Sequence, residues 1–494
     1  MRESQYPYKV IIPVILFIFL SGCTGKPGNN FTPSENLPAI EPDYTGIVIP
    51  PNIAPMNFII KEKGETYFVR LYVDDEQEID IRSGSGLIRI NQRKWKNLVS
   101  SNSGKDLKID IFIKNNGVWN KFRTIINTIA SEPVDPYLTY RVIYPGYESW
   151  SELSIMQRSL ESFRTSTIIK NSVADDNCVN CHSYNNGKSD DFMFHMRGSL
   201  SGTYFYKAGK MSKRNLKTGE MKNGSVYPRW HPSEKYIAFS SNKIVQRFHS
   251  SESKKIEVSD LESSLVLYDL EKNQIMPVPV PGSSNNMDTY PEWSPDGKNM
   301  YFCRAPQIAE VYDYQQIRYN LWKITFDPDS RQFGKAELVY NADSLKKSIS
   351  FPRISPDGRS IIVTISNYGC FPIWHNEADL YSIDATTGKA SSLSLNSDFT
   401  DSYHSWSSNG RWLVFSSRRG DGLTTRPWLA FIDPQGMSGK PFILPQRNPD
   451  VYNTNLKSFN LPELSVTRIK MKPGTIRRIS KQPAEQAKWA TVRK

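Results

Sequence analysis

The sequence predicts a mainly β protein: an N-terminal immunoglobulin-like β-sandwich followed by a five- or six-bladed β-propeller. Two observations carry that prediction. From Pro51 to about Ile143 apolar residues recur with period two between punctuating glycines. From about Asp191 a strand–turn–strand unit repeats at a spacing of roughly 50–60 residues, enough for four strands per unit. A chain of 494 residues has room for two or three domains, and its 38% hydrophobic and 12% aromatic content suits large cores.

The N-terminus comes first. Arg2 and Lys9 precede an apolar run from Val10 to Leu20, about half of what spans a bilayer and the length of a signal-peptide core. The run meets Leu20-Ser21-Gly22-Cys23, which resembles a bacterial lipobox; the resemblance implies cleavage before Cys23, lipidation of its thiol and export. Residues 1–22 then read as a lipoprotein signal peptide. Residues 23–50, rich in Pro, Gly, Asn and Thr, read as a flexible tether.

Residues 51–145 form the expected sandwich. Tyr67, Val69, Leu71 and Val73 alternate with other residues, as do Leu107, Ile109, Ile111 and Ile113. Shorter runs lie at Asn57–Ile60, Leu87–Ile90, Trp119–Phe122 and Leu138–Val142. No cysteine pair pins the sheets together, and the segment reads as a spacer or docking module.

Residues 146–191 are expected to hold a helix and then a loop. Ser149-Trp150-Ser151-Glu152 matches a capping box, and Leu153, Met156, Leu160 and Phe163 follow at helical spacing. In the loop lies Cys178-Val179-Asn180-Cys181-His182. Two thiols three positions apart, followed at once by an imidazole, read as a c-type haem attachment site. Each thiol would add across one vinyl group, and His182 would reach the iron from the proximal side. A zinc half-site, a redox pair and a coincidence are the competing readings. Zinc would want a second ligand pair, and Cys23, Cys303 and Cys370 are isolated. For the sixth iron position Met193, His195 and Met196 lie nearest, and His195 is favoured over His375 and His249. The alternative is that these residues fill a blade core and leave the iron five-coordinate.

Residues 192–465 carry the propeller. Tyr227-Pro228-Arg229-Trp230-His231-Pro232-Ser233-Glu234 aligns with Tyr290-Pro291-Glu292-Trp293-Ser294-Pro295-Asp296-Gly297. Phe351-Pro352-Arg353-Ile354-Ser355-Pro356-Asp357-Gly358 and Tyr403-His404-Ser405-Trp406-Ser407-Ser408-Asn409-Gly410 complete the set. Residues 192–225 read as a degenerate first blade, and 450–470 as the source of a closing strand. The repeats resemble the TolB-type propeller repeat. The whole chain resembles envelope lipoproteins of Gram-negative bacteria that join a CxxCH segment to such a propeller, some of them labelled cytochrome c biogenesis proteins. That resemblance implies a lipid-anchored protein on the periplasmic face of the outer membrane, with envelope proteins or redox partners. Glu234 departs from the pattern where Gly is usual, as does Ser407-Ser408-Asn409.

Strand order adds one geometric expectation. The links between second and third strands, residues 242–263, 305–318 and 367–378, share one face of the ring, and strand one starts from that face. A haem on Cys178 and Cys181 would dock there, walled by the insertions. Cys303 and Cys370 are a candidate disulfide of an oxidising compartment.

The formal charge of +12 does not point to nucleic acid. From Val466 to Lys494 nine Lys or Arg stand against one Glu, so this basic tail holds most of the excess; it is expected to be solvated and disordered, with contact with an anionic lipid surface as the minority reading. No G-x-S-x-G elbow, P-loop or dinucleotide fingerprint occurs, and a single CxxCH excludes a two-haem peroxidase. The reading is an exported mono-haem c-type cytochrome-like protein acting in electron transfer. The alternative is a propeller scaffold binding envelope proteins or glycans, its haem structural or sensory.

Overall fold

The computed structural model describes residues 26–28, 30–74, 78–147, 152–185, 187–250 and 254–490. The signal segment with Cys23 and the centre of the capping box lie outside these residues.

The sandwich is built around Asp106–Asn115, whose inward side chains Leu107, Ile109, Ile111 and Ile113 are buried. Thr66–Tyr72 lies antiparallel along one of its edges, and Ile125–Ile129 and Val118–Lys121 share the other. A smaller sheet joins Ile40–Glu41, Phe58–Ile60 and Leu87–Ile88. The helix Gln92–Ser100 packs Trp95, Leu98 and Val99 into the same core, with the Asn91 side chain accepting from the Arg93 and Lys94 amides. The segment expected to be a tether is folded. Tyr44, Ile47 and Ile49 are buried, Val48–Ile49 pairs with Ile125–Ile129, and Lys26 is 2.6 Å from Asp80. Buried apolar side chains outweigh the Pro- and Gly-rich composition that suggested flexibility.

Six sheets follow one another around a ring, four of them four-stranded and two carrying a fifth strand at the outer edge. Blade 1 starts earlier than the repeat suggests: Tyr137–Ile143, Ser154–Ser159 and Thr165–Lys170 are its outer three strands. Its innermost strand, Ser458–Ser465, comes from the other end of the propeller and pairs with Tyr137–Ile143. The innermost strands of blades 2 to 6 are Cys178–Asn185, Ser225–Trp230, Asn286–Trp293, Ser348–Ile354 and Asp401–Trp406. Each contacts the next, and Ser458–Ser465 touches both Asp401–Trp406 and Cys178–Asn185, so the ring is closed.

This corrects four expectations. The stretch 153–163 is strand and turn instead of helix: Ile155 packs with Ile168, Ile169 and Val179 between sheets, and tertiary packing overrides a chance helical spacing. The haem motif is a blade's inner strand instead of a loop. The propeller begins at Tyr137, so the run 138–142 belongs to it and not to the sandwich. The basic tail is ordered. After Val466 donates to Gly187 O, it forms the helix Pro473–Ser480 with Ile476 and Ile479 buried. It then adds Glu485–Gln486 to the outer edge of blade 2 and Lys488–Trp489 to that of blade 3.

The sandwich is not a free-standing spacer. Its core is continuous with that of blade 6, where Trp412, Val414, Leu429 and Phe442 join Ile47, Ile49 and Ile129 in one cluster. Trp412 Nε1 donates to Glu132 O at 2.9 Å, and Asp135 accepts from the Ser408 amide and hydroxyl at 2.8 and 2.6 Å.

Candidate functional site: a covered cavity in the propeller channel

All six inner strands break register with their neighbour at the same place. The two residues at each break are Leu461-Pro462, Cys181-His182, Tyr227-Pro228, Tyr290-Pro291, Phe351-Pro352 and Tyr403-His404. The first of each pair has left-handed backbone, φ running from 48° to 52°. A two-residue bulge of this kind turns side chains that would alternate across a sheet toward the channel axis. The CxxCH segment therefore supplies blade 2's copy of an element that every blade carries.

Two layers result. Tyr227, Tyr290, Phe351 and Tyr403 pack around the axis with centroids 4.2–6.3 Å apart, Phe351 meeting Tyr227 and Tyr403 edge to face and Tyr290 tilted between Tyr227 and Phe351. One position after each bulge stands a polar side chain: Ser183, Arg229, Glu292, Arg353, Ser405 and Glu463. Glu292 forms ion pairs with Arg229 and, at 3.3 Å, with Arg353. Burial pushes the Glu463 carboxyl up to about 7, against the pull of Arg229 and a hydrogen bond from the Tyr184 amide. Burial brings the Arg353 guanidinium down to about 10.

These layers wall a cavity of about 400 Å³, within the usual range of small-molecule sites. Its roof is the middle hairpin of blade 3. Tyr236–Phe248 and Ile256–Asp269 run well past the blade's own length, and Ile244, Gln246, Phe248, Ile256 and Val258 face the cavity. On its other face the hairpin is held down by blades 4 and 5. Arg247 donates to Val311 O at 2.7 Å and lies over the Tyr314 ring. Asp260 accepts from Tyr319 at 2.8 Å and from the Cys370 thiol at 3.4 Å. Glu257 meets His375 Nε2 at 3.3 Å, Lys254 at 3.1 Å and the Tyr368 hydroxyl at 3.0 Å. Burial alone would lower the His375 pKa, but hydrogen bonds from its ring to Glu257 and Glu377 raise it above the ordinary value.

Cys178, Cys181 and His182 all line the cavity. Burial raises the Cys178 thiol, against the pull of Arg197 and Arg141. Burial, with Arg141 nearby, lowers His182 to about 3, so its imidazole is neutral at physiological pH. Neither ring nitrogen makes a hydrogen bond of normal geometry, although the Leu461 backbone lies near enough to favour the charged form. Two thiols and an imidazole with unengaged nitrogens on one wall of an aromatic cavity are a donor set that fits a covalently held haem.

The structure does not bring His195 to this wall. It sits on the second strand of blade 2, its Nδ1 2.9 Å from Thr203 Oγ1 and its ring against Phe239 of blade 3, with burial lowering it to about 3. Met193 shares that side, in the core between blades 2 and 3, whereas Met196 packs on the opposite side with Val179 and Phe194. His249 ends the roof hairpin, its amide bonded to Lys255 O, and His375 serves as the latch. Of the three insertions, 242–263 and 367–378 reach the cavity, the second through Phe371. Trp374 is stacked under Arg418, 3.3 Å from ring centroid to guanidinium. Cys303 and Cys370 stand as separate buried thiols.

Arg141, Asn180, Arg229, Arg353 and Glu463 line the same cavity and were not singled out from the sequence. A signal existed: reading down the residue after Pro in each repeat gives Arg229, Glu292 and Arg353, an alternation of sign at one register position.

The fold and site define the class: a six-bladed β-propeller with a fused β-sandwich and a ligand-sized cavity in its channel. No family model matches the chain, and comparison with curated proteins finds no match. Among solved structures, TolB from Acinetobacter baumannii is 13% identical over 76% of this chain and 85% of its own, with a TM-score of 0.43. A chain of a nidogen/laminin complex is 6% identical over 67% of this chain and all of its own, with a TM-score of 0.36. A puromycin-hydrolyzing peptidase from Mycobacterium tuberculosis is 9% identical over 81% of this chain and 57% of its own, with a TM-score of 0.35. The propeller assignment rests on the sheet order given above.

Proposed function

We propose that this chain is a propeller scaffold of the cell envelope, anchored through Cys23 and facing the periplasm. In its channel it carries a haem attached to Cys178 and Cys181, with His182 toward the iron, in a structural or sensory role. The observation that carries the reading is the placement of both thiols and the unengaged His182 ring on one covered cavity. Bound there, haem would supply a one-electron couple and a metal able to bind small ligands. The chain's own part is to exclude water under the blade 3 hairpin, stack aromatic rings against the group and offer Arg141 and Arg197 to anionic substituents.

The test is intact mass and haem staining of protein exported from a host that matures c-type cytochromes. The expected result is a mass increment of one haem that survives denaturation and disappears in Cys178→Ser/Cys181→Ser. Colourless protein at the bare polypeptide mass removes the haem and leaves a scaffold for envelope proteins or glycans. That outcome has its own supporting observation, since Cys181-His182 fills the slot that Tyr-Pro fills in blades 3 and 4.

Electron transfer is the second reading. Phe248 lines the cavity yet is 65% exposed, which puts a conjugated ring between the channel and a docking partner. A reversible potential with a six-coordinate spectrum favours it, and ready binding of carbon monoxide at the iron favours sensing.

A further inference from the structure

The C-terminal strap carries a charge pattern that the channel does not explain. Ile469, Ile476, Ile479 and Ala487 fix it to blades 1 to 3. Lys213 of blade 2 adds hydrogen bonds to the carbonyls of Ser480 and Gln482 at 2.9 and 3.2 Å. Arg468, Lys470, Lys472, Arg477, Arg478 and Lys481 are all exposed. Among the described residues none of the six has a carboxylate partner, and the strap's one acid, Glu485, is turned to Arg214 at 3.6 Å. The outer strand of blade 2 and its flanks add exposed Lys207, Lys210 and Lys217.

A disordered tail spreads like charges apart, whereas an ordered strap holds them together and leaves a standing positive potential. Here the charges lie along the segment that leads into the strap helix, on that helix, and on and beside the outer strand of blade 2. That shape matches an extended negative plane better than a small anion, which needs a concave site. The N-terminus adds a second argument. Lys26 is ion-paired to the sandwich, so a lipid on Cys23 leaves only Thr24 and Gly25, roughly 10 Å of chain, between bilayer and body. This second argument rests on the proposed lipidation. The charge pattern is independent of both the lipid and the haem.

We infer that the strap is a docking face for an anionic lipid surface. The test uses the full chain carrying Cys23→Ser, so that no acyl group contributes. It is mixed with vesicles of phosphatidylcholine alone or with one third phosphatidylglycerol, and co-sedimentation is measured. Binding to the anionic vesicles only, falling as salt rises from 50 to 300 mM, is the expected result. Arg477→Glu/Arg478→Glu is expected to raise the lipid concentration for half-binding at least tenfold, since each basic side chain near such a surface contributes several-fold. Lys470→Glu/Lys472→Glu does the same from the other end of the strap, and a far-ultraviolet spectrum identical to the parent's shows that each variant is folded. No binding, equal binding to both vesicles, or binding unchanged in both variants overturns the inference. So does capture by an acidic protein without binding to vesicles.

Discussion

Cys181 and His182 occupy positions where blades 3 and 4 have Tyr-Pro and blade 6 has Tyr403-His404. A slot that accepts tyrosine in three other blades should accept it here. Cys181→Tyr is expected to cost no more than about 1–2 kcal/mol in urea unfolding, while removing one of the two thiols of the proposed haem attachment; a chain that fails to fold would show that blade 2's slot is built differently. His404 makes a useful contrast to His182. Its Nε2 donates to Ile362 O at 2.8 Å, whereas both nitrogens of His182 lack such a bond. At the joint with the sandwich, Trp412 is fully buried and its indole N–H is engaged. Trp412→Ala is expected to destabilise by about 3–5 kcal/mol, measured by the same titration. The thiols and imidazole of the site were legible because the haem motif is a local spacing. Arg229, Arg353 and Glu463 were not, because what unites them is a register position repeated 110 to 234 residues apart along the chain, visible once the bulges are known.

The roof hairpin is the element on which access to the cavity depends, and its latch titrates. The groups facing His375 are Glu257, Lys254, Glu377 and Tyr368. With its pKa raised in the folded state, His375 contributes stability that is complete below its ordinary value near 6.5 and lost as pH rises through the folded value. Burial opposes the shift of Glu377, but the His375 hydrogen bond prevails and brings it down to about 2. Its contribution is present above its ordinary value near 4.5 and lost as pH falls toward 2. The latch is therefore strongest between about pH 4.5 and 6.5. Protection of the amides in Asn242–Phe248 against hydrogen exchange, taken relative to the intrinsic base-catalysed rate at each pH, is expected to be greatest in that window and to fall on the alkaline side. His375→Gln should remove that alkaline fall in protection, and an unaltered profile in that variant would assign the effect to other groups. The extra length of this hairpin was legible as an insertion; that it folds over the channel was not, since Ile244, Gln246 and Phe248 read equally well as a solvated loop. Blade 1 escaped for a related reason. Its strands Tyr137–Ile143 and Ser154–Ser159 lack the Pro-Asp-Gly turn that marks the later blades, and Leu153, Met156 and Leu160 mimic a helix.

At the scale of the molecule the ring is closed by joining chain segments more than 300 residues apart, Thr139 opposite Glu463. A chain ending at Asn455 lacks that strand and should lose cooperative unfolding in both sandwich and propeller, because Leu464 and Trp412 share one core with Ile47 and Ile49 of the sandwich. A chain ending at Lys481 keeps the closing strand and gives up only the two added edge strands, so a cooperative melt at lower temperature is expected; circular dichroism distinguishes the two. The late arrival of Ser458–Ser465 also sets an order of events. Until it docks, blade 2's inner strand has one flank unoccupied. On the proposed haem attachment, the group would therefore reach Cys178 and Cys181 most readily before the ring closes.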